Sequence, residues 1–198
     1  MQKTAIFGGT FNPPHIGHRA MLEGISALDE ISKILIMPAK TPPHKSGDII
    51  SPEHRVNMCR LAFLGVQKAE LCLDELDMSG KNYTLNTLLH FKKRGVLNPV
   101  LVIGADSLIN FHTWYRYEEI LPLAELYVYM RDGILDNELL AATEALKAKG
   151  AKITLLDICP PAISSSEIRL AFSKGENPDR FLNGLVLEYI KENSLYEG

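Results

Sequence analysis

Short apolar runs trade places with stretches of helical period along the whole chain, which predicts an α/β protein with a doubly wound parallel sheet and helices on both faces, Rossmann-like in its layering. Two observations carry this expectation. The strand-like runs are short and apolar, Val100-Leu101-Val102-Ile103 behind Pro99 being the clearest. Between them lie segments long enough to be the crossover helices that parallel strands require.

The elements follow in order. Thr4 to Phe7 reads as a strand, Ile16 to Leu28 as a helix and Lys33 to Met37 as a strand. Pro52 to Leu64 reads as a helix, with Ser51 at its cap and Pro52 in its first turn. Glu70 to Leu73 is a weaker strand, and Leu85 to Arg94 a helix capped by Thr84 and closed by Gly95. After Pro99 to Ile103 come a strand from Leu126 to Met130, a helix from about Asn137 to Lys149 and a strand from Ile153 to Leu156. The rest is helical, first after Ser164 and again from about Leu185 to Glu192. Pro38 to Pro52 reads as a loop inside the fold, and no linker marks a boundary, so residues 1–198 are expected to form one domain.

With 198 residues the chain can bury roughly 70% of its unfolded surface and needs no staple. Lys plus Arg number 21 against 24 Asp plus Glu, a formal net charge of −3. That balance excludes a polyanion binder built on electrostatics alone, so any phosphate chemistry must be local, and no nucleic-acid partner is expected. Cys59, Cys72 and Cys159 form no CxxC pair, which fits a reducing cytoplasm better than a disulfide or thiolate zinc framework. The sequence has no signal-peptide pattern and no apolar run of the roughly 20 residues that span a membrane, so no membrane association is expected.

In such a sheet ligands bind beyond the carboxyl ends of the strands, near the reversal of strand order. The first such segment is Gly8-Gly9-Thr10-Phe11-Asn12-Pro13-Pro14-His15-Ile16-Gly17-His18. Two glycines let backbone approach a ligand, and the helix beyond offers unpaired N–H groups and a positive dipole end to an anion. The loop is neither the dinucleotide fingerprint nor a Walker loop, lacking the third glycine of one and the GK[ST] of the other. His15 and His18, three apart, can face one side of the first helical turn and donate to phosphate oxygens. The alternatives are half a metal site, for which no further ligands stand at suitable spacing, or two incidental surface histidines.

Gly8 to His18 resembles the GGTFDPPHxGH motif of the bacterial nicotinate-nucleotide adenylyltransferases, within the HxGH nucleotidyltransferase superfamily. Ile163-Ser164-Ser165-Ser166-Glu167-Ile168-Arg169 is similar to that family's ISSTxIR. Pro42-Pro43-His44-Lys45, Tyr83-Thr84, Gly104-Ala105-Asp106 and Trp114 lie between the two in the family's order. Three positions depart from the pattern. Asn12 stands where the family usually has Asp, Ser166 where it has Thr, and Asn86 where an Asp often follows Tyr-Thr. Ser166 keeps a hydroxyl that can cap a helix or meet a phosphate, and the uncharged Asn12 is given no metal or base role.

The resemblance implies adenylyl transfer from ATP to nicotinate mononucleotide, giving deamido-NAD and pyrophosphate. An ionised phosphate nucleophile needs no general base, which accounts for the lack of any evident catalytic triad or carboxylate pair. His15, His18 and Arg169 would be catalytic, His18 at the α-phosphate. Gly8, Gly9, Thr10, Phe11, Gly104, Asp106, Ser164 and Ser165 would bind ATP, the two serines and Arg169 holding the β- and γ-phosphates. Asp106 would accept from the ribose or adenine region, or cap a helix. Lys45 would reach the acceptor's phosphate, or belong to a solvated basic loop with Lys40. Trp114 would stack on the pyridine ring, or pack in the core. Thr84 would contact the nicotinate end, or cap a helix. Magnesium would enter with ATP, bridging phosphates and keeping most of its waters, so no protein metal cage is expected.

His15-Ile16-Gly17-His18 also spells the HIGH motif of class I aminoacyl-tRNA synthetases, but this short acidic chain has no KMSKS-like lysines. Pantetheine-phosphate adenylyltransferases share the HxGH site yet generally lack the PPHK loop and the ISSTxIR wording. A nucleotide sensor without turnover would tolerate losing the histidine pair and Arg169, which are intact.

Overall fold

The computed structural model describes residues 2–40, 49–78, 82–130 and 136–196. Six strands form one sheet: β1 (Lys3–Gly9), β2 (Ile31–Pro38), β3 (Ala69–Leu71), β4 (Pro99–Gly104), β5 (Glu125–Tyr129) and β6 (Ile153–Leu156). Their order is β3-β2-β1-β4-β5-β6, and every neighbouring pair is parallel. The order runs outward from β1 to β3, then reverses and runs from β4 to β6, so the crevice between β1 and β4 is the switch point.

The central strands β1, β2, β4 and β5 are buried on both faces, and period-2 alternation divides them between two cores. Ala5, Phe7, Ile34, Ile36, Val100 and Val102 face α1 (Ile16–Ser26), α2 (Pro52–Ala62), α8 (Ser165–Ser173) and α9 (Gly184–Glu192). Ile6, Leu35, Met37, Leu101, Ile103 and Val128 face α4 (Thr84–Lys93), α5 (Ala105–Ile109), α6 (Tyr117–Ile120) and α7 (Asn137–Ala148). Both faces are therefore covered by helices, as the alternation of the sequence predicts.

The expected elements recur within a few residues of their predicted bounds, and the differences concern short pieces. Thr84 does not cap α4: Tyr83 occupies that position without a side-chain bond, and Thr84 is the first helical residue. Asp106 is likewise inside the first turn of α5, whose cap is Gly104. The helices α3 (Asp74–Asp77) and α6 were not expected, and α5 only as the helix that Asp106 would cap; at four or five residues they are too short to show a helical period. Among the described residues no helix is long and apolar enough to cross a membrane.

Candidate active site

The β1–α1 loop leaves the sheet at the switch point. Gly8 continues β1 with open space where a Cβ would project, whereas a Cβ on Gly9 would lie 2.8 Å from the Phe11 ring. Phe11 itself has φ +50, a left-handed conformation that costs a bulky residue roughly 1–3 kcal/mol and persists only when its surroundings hold it. Burial holds the ring, which is 2% exposed and packs against Phe7, Phe63 and His18. What Phe11 offers a ligand is therefore backbone.

Donors from distant elements grip the loop's carbonyls. Arg55 of α2, fully buried, donates to the carbonyls of Thr10 at 2.8 Å, Lys40 at 3.0 Å and Ile50 at 3.3 Å. Arg169 of α8 donates to Asn12 O and Ser165 Oγ to Pro13 O, each at 2.8 Å. Arg55 was not among the expected site residues, although a signal existed: it shares the helical face of Met58, Cys59 and Ala62, where a charge is out of place.

His15 is the N-cap of α1 and His18 its third residue. The two rings lie 3.7 Å apart between centroids, as the spacing predicts. The His15 N–H donates to His18 Nδ1 at 3.3 Å, so a neutral His18 carries its proton on Nε2. His15 is 6% exposed and its Nδ1 is buried without a hydrogen-bond partner among the described residues. Burial pushes its pKa down to about 4 against the opposing charge of Glu167, so the ring is neutral at pH 7. Gly17 lies between the two histidines and lines the larger of two cavities at this edge of the sheet. A Cβ there would sit 3.0 Å from both Pro161 O and His15 Nδ1, so the glycine admits the 160–164 segment.

That segment leads to the second motif. Ser164 caps α8 by accepting from Glu167 N at 3.1 Å, while its own N–H donates to Glu167 Oε2 at 3.0 Å. Ser166 does not cap; it accepts from Arg169 at 3.3 Å. The Ser165 proton is committed to Pro13 O, so a phosphate here would meet the α8 backbone N–H groups rather than that hydroxyl. Arg169 spends two of its five donors inside the protein.

Two cavities open at this edge of the sheet. One of about 570 Å3 is lined by His15, His18, Gly104, Asp106, Ser164 and Glu167, together with Pro160 to Ile163. The other, about 210 Å3, is lined by Gly8, Gly9, Thr10, Thr84 and Trp114, together with Glu75, Asn82 and Thr87. The structure thus gathers the histidines, Gly104, Asp106 and Ser164 on one side, and sets Gly8, Gly9 and Thr10 beside Thr84 and Trp114 on the other. Trp114 packs on Phe111 with centroids 4.8 Å apart and also walls the smaller cavity. Lys45 and the rest of Pro42 to Lys45 lie outside the described residues.

Glu75, absent from the expected site, lines the smaller cavity and accepts from Thr87 Oγ1 at 2.6 Å. Burial raises its pKa above the ordinary value, and the Asn82 Oδ1 beside it in the cavity wall is buried without a partner among the described residues. Neither residue stood out in the sequence, because acids and amides in a polar stretch carry no period. Among the described residues no three His, Cys, Asp or Glu side chains converge as a metal site.

Known proteins resemble this chain over its whole length. Residues 6–171 match the cytidylyltransferase-like family. A Clostridium botulinum protein named "Probable nicotinate-nucleotide adenylyltransferase" is 33% identical over 199 residues, covering 100% of this chain and 99% of its own. A Klebsiella pneumoniae protein of the same name is 34% identical over 210 residues, covering 98% and 97%. The fold matches the Plasmodium falciparum nicotinic acid mononucleotide adenylyltransferase complexed with NaAD, with a TM-score of 0.80, 22% identity and coverage of 99% and 98%.

Proposed function

The chain belongs to the cytidylyltransferase-like family, and within it to the nicotinate-nucleotide adenylyltransferases; from that premise we propose that it transfers the adenylyl group of ATP to nicotinate mononucleotide. The products are deamido-NAD and pyrophosphate, a step of NAD biosynthesis. One observation carries the assignment of substrates to places. A single loop lines two cavities, its first half with Trp114 and Thr84, its second half with Asp106 and the start of α8. A two-substrate transfer needs two neighbouring sites with the reacting atoms at their junction.

In this reading ATP occupies the larger cavity and the pyridine nucleotide the smaller. A phosphate oxygen of the mononucleotide attacks the α-phosphorus of ATP; the new P–O bond forms as the bond to the β-phosphate oxygen breaks, and pyrophosphate leaves with that electron pair. The nucleophile is already ionised, so the protein aligns and neutralises. His18, with its proton on Nε2, donates to the α-phosphate, and the neutral His15 stands beside it. The N-termini of α1 and α8 and the remaining Arg169 donors take up charge on the triphosphate. Gly104 and Asp106 meet the adenosine end, Asp106 accepting from a hydroxyl or amine. Trp114 presents a ring face to the pyridine, Thr84 and the first turn of α4 stand at its carboxylate, and Lys45 reaches the acceptor's phosphate.

A magnesium ion would enter on the triphosphate, held by phosphate oxygens and keeping most of its waters. When bound, magnesium draws charge from the phosphate oxygens. Residues 1–198 act as one nucleotidyltransferase unit, in the cytoplasm.

Purified protein supplied with ATP, magnesium and nicotinate mononucleotide is expected to release pyrophosphate and form deamido-NAD. Release with phosphopantetheine but not with the mononucleotide would assign the chain to the pantetheine-phosphate branch. Tight ATP binding without product from any acceptor would make it a sensor.

A further inference from the structure

Beyond the two motifs and the cavities, a fourth element reaches the nucleotide loop. After α9 the backbone turns through left-handed conformations at Ser194 (φ +47) and Tyr196 (φ +65), positions with no glycine to ease them. The turn is anchored: Leu195 is 9% exposed in the core, and its N–H donates to Ile190 O at 3.0 Å. It carries the Tyr196 ring onto Phe172 of α8, nearly parallel with centroids 6.1 Å apart. The phenol then donates to Asn12 Oδ1 at 2.8 Å, across 184 residues of sequence.

The bond falls where the loop needs holding. Phe11, in its left-handed conformation, has Arg55 on the carbonyl before it at Thr10, and Arg169 and Tyr196 on the residue after it at Asn12. Three residues on from Asn12 stands His15, which faces the larger cavity. Burial pushes the phenol's pKa up despite the nearby Arg55 and Arg169 guanidinium groups, so the O–H remains a donor throughout the neutral range. Asn12 matters here as an acceptor, which an amide oxygen supplies as well as a carboxylate does.

We propose that Tyr196 is a positioning residue for the transfer: by holding Asn12 it keeps the turn at Phe11 in place, and with it the alignment of His15 and His18 on the reacting phosphate. The proposal rests on the adenylyl-transfer reading for its kinetic consequence. It does not rest on that reading for the loop itself.

The test uses the full chain. Tyr196→Phe keeps the ring and its contact with Phe172 and deletes one hydrogen bond. With ATP, magnesium and nicotinate mononucleotide, kcat is expected to fall about three- to tenfold, the worth of one such bond, with both KM values unchanged. Asn12→Ala should lose at least as much, and the double variant no more than Asn12→Ala alone, because both changes break one contact. Asn12→Asp, which keeps an acceptor, should retain the wild-type kcat. A Tyr196→Phe enzyme at wild-type kcat, or losses that multiply in the double variant, overturns the proposal. Amide exchange over residues 9–18, measured without substrates, reads the latch whichever acceptor the enzyme takes. Faster exchange there in Tyr196→Phe supports the latch, and unchanged exchange overturns it even where wild-type protein makes no deamido-NAD.

Discussion

His15 ties the stability of the ligand-free protein to pH. Its ring is buried, and its pKa falls from the ordinary 6.5 to about 4 because the fold strips water from the charged form. A depressed folded pKa means that the unfolded chain binds the extra proton first. The contribution of His15 is therefore fully present above pH 6.5 and is lost as pH falls through about 4. From those two pKa values the loss is about 2 kcal/mol at pH 5 and about 3 kcal/mol at pH 4, relative to pH 8. The perturbation is His15→Gln, which cannot titrate. Urea unfolding of wild type and variant at pH 4, 5, 6 and 8 gives the difference between them at each pH, which cancels the other groups. That difference should move in favour of the variant by about 3 kcal/mol between pH 8 and pH 4. A difference constant to within about 0.5 kcal/mol would refute the neutral, desolvated imidazole.

Four further outcomes are expected. His18→Ala should lower kcat far more than it weakens ATP binding, since its donor acts on charge that grows in the transition state; equal losses in kinetics and in equilibrium ATP titration would remove that role. Gly9→Ala should destabilise by about 1–3 kcal/mol in chemical denaturation, because its methyl meets the buried Phe11 ring. Gly8→Ala, whose methyl enters the open smaller cavity, should leave stability within about 0.5 kcal/mol and raise the acceptor KM; the reverse ranking would contradict the placement of the two glycines. Glu75 has its pKa raised by burial, so its neutral form's advantage is complete below the ordinary 4.5 and disappears as pH rises through the folded value. Glu75→Gln should therefore raise the melting temperature relative to wild type at pH 8 and not at pH 4, and a shift of equal size at both pH values would show that ionisation is irrelevant there.

Much of the fold and of the site is readable along the chain. Strands buried on both faces spell themselves as Val-Leu-Val-Ile, and capped helices spell Ser-Pro or Ser-x-x-Glu, because these patterns answer to neighbours within one turn or one strand. The histidine pair is legible for the same reason, a spacing of three on one helical turn. Thr84 misled because Thr is a good cap and also an acceptable first helical residue, and the choice between them depends on where the chain enters α4. The hydrogen bond of Ser165 was hidden for a different reason: its partner, Pro13 O, comes from across the cleft, and no local pattern announces it.

The same division separates motif from machinery. Composition and period were enough for the doubly wound sheet, and the two long motifs for the resemblance that implies the chemistry, since each depends on residues adjacent in sequence. Which half of the β1–α1 loop faces which cavity, that the Phe11 ring belongs to the core, and that Arg55 and Tyr196 hold the loop from α2 and from beyond α9 were settled by packing alone. The physical reason is sequence separation. A hydrogen bond between residues 12 and 196 exists only after the whole sheet and both of its helical layers have brought those residues to one place.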